Sequence, residues 1–338
     1  MAAAVSNLVL ASFFCGPPPA SSSSPPSPSC KDFAARAATI LRVWFVNNST
    51  SMLPNLYYGQ IRPTAAPPKR GHGGFIEWTN LPGLLDHVAM LRYAYPTVWG
   101  DDDDAVFQQW VVDFNSYCES PTASHERDMI NNHGSWFDST WLAAALATGA
   151  STRAGGRVDE EGGGHVKGGA TLAAIQDVLH RRIDLQIRPN GSEWIELERA
   201  NPAGYCMYNA DALANSAAMV ANARQQQQEE GESKVGIKTP ETDLPDVWGY
   251  RNATTNASLR GVIDWLLPYA TGTAAWPYPQ HSEAPNWSNL FSLFRRASIA
   301  YESRAYEVAA CVVVKGEGGK YANDELNLLN PPHFKVEC

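Results

Sequence analysis

The sequence predicts an all-α fold built from antiparallel helix pairs. Apolar residues recur at helical spacing in one stretch after another, while period-2 alternation is short and rare. The connections between those stretches are of mixed length, as between neighbouring antiparallel helices. The chain has 338 residues and 44% hydrophobic composition, enough for one large domain or two modest ones.

The N-terminus stands apart from this rhythm. Residues 5–15 (VSNLVLASFFC) form an apolar run with no Lys or Arg before it, which reads as a weak signal peptide. Residues 16–30 are a Pro/Ser tract that cannot build a core. Residues 1–30 are therefore expected to be a disordered leader and linker, and residues 31–338 the folded domain.

From Asp32 the pattern turns helical, with Phe33, Ala37, Ile40, Leu41, Trp44 and Phe45 expected on one buried face. Pro and Gly break residues 47–79 into a long loop, and loops of that length are often functional. Leu81, Leu84, Leu85, Val88 and Leu91 mark the next helix. Asp101 to Asp104 suit the start of another, with Phe107, Trp110, Val111 and Phe114 inward. That acidic run lacks the alternation of an EF-hand loop. Trp141, Leu142, Ala144, Ala145 and Leu146 lie in a helix ending near Gly149. Leu172, Ile175, Val178, Leu179 and Ile183 mark a further helix, and residues 207–224 an Ala-rich one. Leu259, Val262, Ile263, Leu266 and Leu267 precede a stop at Pro268, and Leu290, Leu293, Phe294, Ala297 and Tyr301 mark the last helix. Residues 151–169 and 225–246 read as exposed insertions.

The net charge of −9 argues against a nucleic-acid partner. A polyanionic ligand would have to be met by a local cluster of cations. Eleven tryptophans suit core filling and sugar-binding clefts alike. The six cysteines include no CxxC pair, which leaves disulfides or buried thiols rather than a zinc ribbon. Asn47, Asn48, Asn190, Asn252, Asn256 and Asn286 each head an N-x-S/T triplet, which favours a secreted, extracellular glycoprotein. No stretch is a transmembrane candidate, and no membrane partner is expected.

The stretch Asn131-Asn132-His133-Gly134-Ser135-Trp136 places an amide, an imidazole and an indole together at the start of a helical run. Glu198-Arg199 and Tyr205 add a cation and a phenol further on. An Asn that simply caps a helix beside a packed His is the plainer alternative. Together, though, amide, His, Arg and Tyr suit abstraction of the proton beside a uronate carboxylate. Hydrogen-bond donors disperse the charge that builds on that carboxylate, and Arg binds it bidentately. A Tyr next to a cation can take the proton and return it to the leaving oxygen; with His133 as base, Tyr205 would serve as acid only. No metal or other cofactor is required, and the eight His show no HExxH spacing.

The segment NNHGSWFDSTWLAAALATG resembles the signature of the alginate-lyase superfamily of polysaccharide lyases. RIDLQIRPNGSEWIELERANPAGYCMYNADAL at 182–213 is similar to a second family block, and LPNLYYGQIRP at 53–63 to a third. The Gly71-to-Leu91 region and DVWGYRNATTNASLRGVIDWLLPY at 246–269 match as well. The resemblance implies an (α/α) toroid and β-elimination on a polyuronate of the alginate or glucuronan type. Matched position by position, it implies catalytic roles for Asn132, His133, Arg199 and Tyr205. Tyr57, Tyr58 and Gln60 on the early loop, with Trp78 and Trp136, are expected to contact substrate; sealing the loop base is the alternative for Tyr57 and Trp78. The expected partner is an anionic polysaccharide, met by a monomer. The Pro/Ser tract stands where relatives carry further helical sequence, so the first toroid helices are expected to be absent. Cys206, beside Tyr205, reads as structural.

Two other functions fit parts of the sequence. A glycoside hydrolase on the same toroid would need two carboxylates, for which Asp138, Glu196 and Glu198 are candidates. A carbohydrate-binding relative without activity would keep the fold and release no product.

Overall fold

Backbone hydrogen bonding in the computed structural model is almost wholly helical. It describes residues 1–15, 28–59, 74–151, 169–233, 244–281, 284–315 and 332–334. Among them the one pairing of extended backbone is an isolated antiparallel bridge between Ile187 and Glu193. The chain divides into two compact units, one of Met1–Glu126 with Ala143–Ala170 and one of Arg127–Leu142 with Thr171–Cys338.

In the first unit the N-terminal residues are folded. Ala2–Phe14 form helix α1, which packs on α2 (Pro28–Leu41) and α3 (Leu81–Ala94). Val5, Val9 and Leu10 of α1 are buried, each worth about 1.5–3 kcal/mol against exposure. Tyr95 Oη donates to the Ser12 carbonyl at 2.6 Å, and a disulfide joins Cys15 to Cys30. Residues 2–14, expected to be a disordered leader, are helical instead: the run carries no charge, its Ser6 and Ser12 are buried and only Asn7 is an exposed polar residue, and α2 and α3 supply its burial. Residues 16–27 of the Pro/Ser tract lie outside the described residues.

The buried face of α2 also differs from expectation. Cys30, Ala34, Ala37, Ala38 and Leu41 are buried, whereas Phe33 and Trp44 are exposed. Small residues let α1 approach closely, and the chain then widens into a π-turn at Arg42–Val46, which keeps Phe45 inward. In α4 (Asp101–Glu119), Phe107, Trp110, Val111 and Phe114 are buried as expected. The four Asp occupy its first turn, where the helix dipole favours them. Arg42 binds Asp103 at 2.6 Å and Arg92 binds Asp104 at 3.0 Å. Within the early loop, a Cβ on Gly59 would lie 2.5 Å from Gly74 Cα, so this backbone crossing needs glycine on both sides.

The second unit begins with the short turn that leads into α6 (Asn132–Ser151), whose first residues, to Leu142, belong to it. After α7 (Gly169–Gln176) comes a π-turn, Asp177–Ile183, and then α8 (Asp184–Gln186). The long α9 (Pro202–Ser233) packs on α10 (Leu259–Ala270) and α11 (Phe291–Ala300). It extends through residues 225–233, which were expected to be an insertion. Pro268 lies inside α10 rather than ending it. The final helix α12 (Arg304–Lys315), which the apolar pattern did not single out, packs on α11 around the buried Arg295–Glu307 ion pair. α5 (Ser124–Arg127) is a single turn at the junction in sequence. No described helix is long and apolar enough to cross a membrane.

Candidate active site

The NNHG turn is held from behind by one buried cation. Arg182 donates to both Asp138 oxygens, at 2.7 and 3.0 Å, and both side chains are fully buried. Its remaining donors reach the Met129 carbonyl at 2.9 Å and the Arg127 carbonyl at 2.7 Å. Burial pushes the Asp138 carboxyl up to about 7, and Arg182 pulls against that shift. Gly134 lies against this clamp: a Cβ there would sit 2.0 Å from the Met129 oxygen and 2.6 Å from Arg182 Cζ. The glycine of the motif is therefore a packing requirement.

Beyond the clamp, α6 starts at a side-chain cap, with Asn131 Oδ1 accepting from His133 N at 3.0 Å. Asn132 is buried and donates its backbone N–H to Glu196 Oε1 at 2.6 Å. Its Nδ2 donates to both Glu196 oxygens at 3.0 Å. His133, next in the chain, stays partly exposed. Burial raises Glu196 above the usual carboxylate range, opposed first by the Asn132 hydrogen bonds and then by Arg199 and His133.

Glu196 sits on a 3₁₀ turn, Glu196–Glu198, one turn before Arg199, whose Nη1 is 4.0 Å from Glu196 Oε2. The Arg199 guanidinium carbon lies 4.0 Å from the centre of the Tyr205 ring, in cation–π contact. Tyr205 belongs to the first turn of α9, which Asn201 caps by accepting from Gly204 N at 3.1 Å, with Pro202 in the first helical position. Glu196 thus links Asn132 to Arg199, and Arg199 links the pair to Tyr205. Tyr205 opens onto a pocket of about 400 Å³ lined by Asn201, Gly204, Met207, Tyr208, Asp211 and Asn289.

A family profile described as alginate lyase matches residues 29–276. The chain belongs to the alginate lyase family. Among solved structures it is similar to an alginate lyase from Bacteroides ovatus, with 22% identity and a TM-score of 0.70, covering 92% of this chain and 68% of that one. That likeness shows the fold, the helical toroid class expected from the sequence. No curated protein matches. As a family member, the protein is a polysaccharide lyase.

Within this alginate lyase family member the residues expected at the site have different surroundings. Trp136 is 3% exposed and packs on Tyr208 at 5.0 Å, so it backs the pocket wall from inside. Tyr57, Tyr58 and Trp78 belong to the first unit. Tyr57 meets Tyr117 edge-on at 5.3 Å and Trp78 packs on Trp110 at 6.0 Å, while Tyr58 is 72% exposed. Gln60 lies outside the described residues.

Beneath the pocket, Asn209 Nδ2 donates to Glu193 Oε1 at 2.6 Å and to Gln186 Oε1 at 2.8 Å. Gln186 in turn donates to the Asn131 carbonyl at 3.3 Å. Burial raises Glu193 well above its usual range and does the same to the Cys206 thiol, which is a packed structural group. Beyond the placing of Glu196 one helical turn before Arg199, nothing in the sequence marks Tyr208, Asp211 or Asn289 as pocket residues, or gives Arg182 and Glu196 their holding roles.

Proposed function

We propose that this lyase cleaves a polyuronate of the alginate or glucuronan type by β-elimination, leaving an unsaturated uronate end. The observation that carries the reading is Arg199 seated against both the Tyr205 ring and Glu196. A substrate carboxylate drawn to Arg199 and His133 would bring its neighbouring C5 proton to the phenol. The cation then stabilises negative charge as it builds on the carboxylate and on the phenol. Tyr205 takes the C5 proton and passes it to the departing 4-oxygen, which breaks the glycosidic bond. Asn132, buried with its amide on Glu196, contributes by fixing Glu196 and hence Arg199.

The surroundings of the carboxylates favour elimination over hydrolysis. Of the three candidate carboxylates, Asp138 is sealed behind Arg182 and Glu196 is buried and bound by Asn132, so the exposed Glu198 has neither of them as an open partner across a sugar. Incubation with polymannuronate, polyguluronate and polyglucuronate tests the reading: at least one should yield the ultraviolet absorbance of the unsaturated product. New reducing ends without that absorbance would favour hydrolysis, and binding without products an inactive relative.

We further propose that the protein is a secreted, glycosylated monomer. Support comes from the Cys15–Cys30 disulfide and from exposed sequon residues Asn47, Asn48, Asn190, Asn256 and Asn286, not from the apolar run that forms α1. Substrate contact by Tyr57, Tyr58, Gln60 and Trp78 is proposed as well, supported by the exposed Tyr58 ring. Tyr58→Ala should then raise KM with kcat little changed.

A further inference from the structure

We infer that Trp265, Tyr269, Trp276, Tyr278 and Trp287 form a second sugar-binding site, an aromatic platform that holds the polyuronate chain beyond the units at Tyr205. The inference rests on the polyuronate reading above. Trp265 and Tyr269 stand four residues apart on α10, so their rings share a face and meet edge-on at 5.5 Å. The following segment brings Trp276 within 5.6 Å of Trp265 and 5.1 Å of Tyr269. Tyr278 and Trp287 then flank Trp276 at 5.1 and 5.6 Å.

Each of the five rings is only half-buried, whereas Trp141, Phe294 and Tyr306 of the same unit are closed off from solvent. A cluster serving only as core would be covered; this one leaves indole and phenol surface in water. Its segment is also tied to the pocket. His281 N donates to the Ala200 carbonyl at 3.1 Å, and Gln280 bonds Asn201, which caps the helix bearing Tyr205. Asn289, two residues after Trp287, lines the pocket itself. The platform segment is therefore anchored at the helix end that bears Tyr205 and runs on into the pocket lining at Asn289.

The ligand chemistry follows from that surface. A sugar ring offers an apolar C–H face that stacks on indole, and stacking is indifferent to a net charge of −9 that repels a polyanion. A pocket of about 400 Å³ holds a small-molecule-sized ligand, so a polymer must continue outside it. The turn closed by Gly191 packs against Gly261 and Trp265, and it carries the exposed Arg188, a partner for a uronate carboxylate at the platform edge.

The test compares wild type with Trp276→Ala/Trp287→Ala on a long polyuronate and on its tetramer. KM for the polymer should rise about tenfold, equivalent to one ordinary stacking contact, with kcat and all tetramer kinetics unchanged. Trp276→Phe, which keeps a ring, should retain most of the polymer affinity. Equal losses on polymer and tetramer, or no loss on either, would overturn the proposal. Retardation in polyuronate-containing native gels separates it from the catalytic reading, because it needs no turnover. If wild type cleaves none of the polymers, the reading at Tyr205 fails; retardation of wild type that the double variant loses would still support the platform, and its absence in wild type would overturn it.

Discussion

Arg199 and Tyr205 are in face contact, guanidinium carbon to ring centre 4.0 Å, at the point where a 3₁₀ turn gives way to the long helix α9. The contact depends on a planar cation. Arg199→Lys keeps the charge and loses both the flat face and the bidentate fork. Its kcat should fall about 10²–10³-fold, the usual loss for one charge-stabilising donor, with a smaller change in KM. Steady-state rates of unsaturated product formation check this.

Glu196 is expected to act through its neighbours. Glu196→Gln can still accept from Asn132 but no longer holds Arg199 by charge, so kcat should drop while the fold survives. Glu196→Ala leaves the buried Asn132 N–H groups without an acceptor and should cost about 1–3 kcal/mol of stability as well. Urea unfolding and kcat, measured on both variants, separate the two effects.

The Arg182 clamp should govern stability more than chemistry. Arg182→Leu strands the Asp138 carboxylate and two backbone carbonyls in the interior, a loss of about 3–5 kcal/mol. Adding Asp138→Leu removes the stranded charge and should recover part of it. Gly134→Ala, which drives a methyl into the Met129 carbonyl, should be as damaging as the single Arg variant. Denaturant midpoints rank the three.

Glu193 carries a pH signature. Its carboxyl is raised by burial well above 4.5, so the folded state holds a proton that the unfolded chain releases as pH climbs past the ordinary carboxylate range. Wild-type stability from this group is complete at low pH and declines until the folded group itself ionises. Glu193→Gln keeps the acceptor for Asn209 and has no such proton. The melting temperature of wild type relative to Glu193→Gln should therefore fall as pH rises above about 4. A constant difference would contradict the assignment.

Much of this was legible in the residues, for reasons the structure makes plain. Phe107, Trp110, Val111 and Phe114 recur at three- and four-residue steps with Gln108, Gln109 and Asp113 between them, so their inward face shows in the spacing. In α1 only Asn7 marks an outer face while Ser6 and Ser12 are buried, and in α2 the buried residues are mostly alanines rather than the larger Phe33 and Trp44. Asn132, His133, Arg199 and Tyr205 stood out because a family motif carries them. Arg182 and Asp138 are 44 residues apart and meet only in the folded chain, so no local pattern predicts the clamp. Trp136 looked like a sugar-binding ring beside His133, but the helical turn directs it inward onto Tyr208.

The most direct test of elimination at Tyr205 is the ultraviolet absorbance of the products released by wild type and by Tyr205→Phe from the preferred polyuronate. Wild type should give a steady rise and the variant none above background, with the variant still bound to polymer. A variant that forms the unsaturated product at the wild-type rate would show that the phenol oxygen moves no proton, and the mechanism would be wrong.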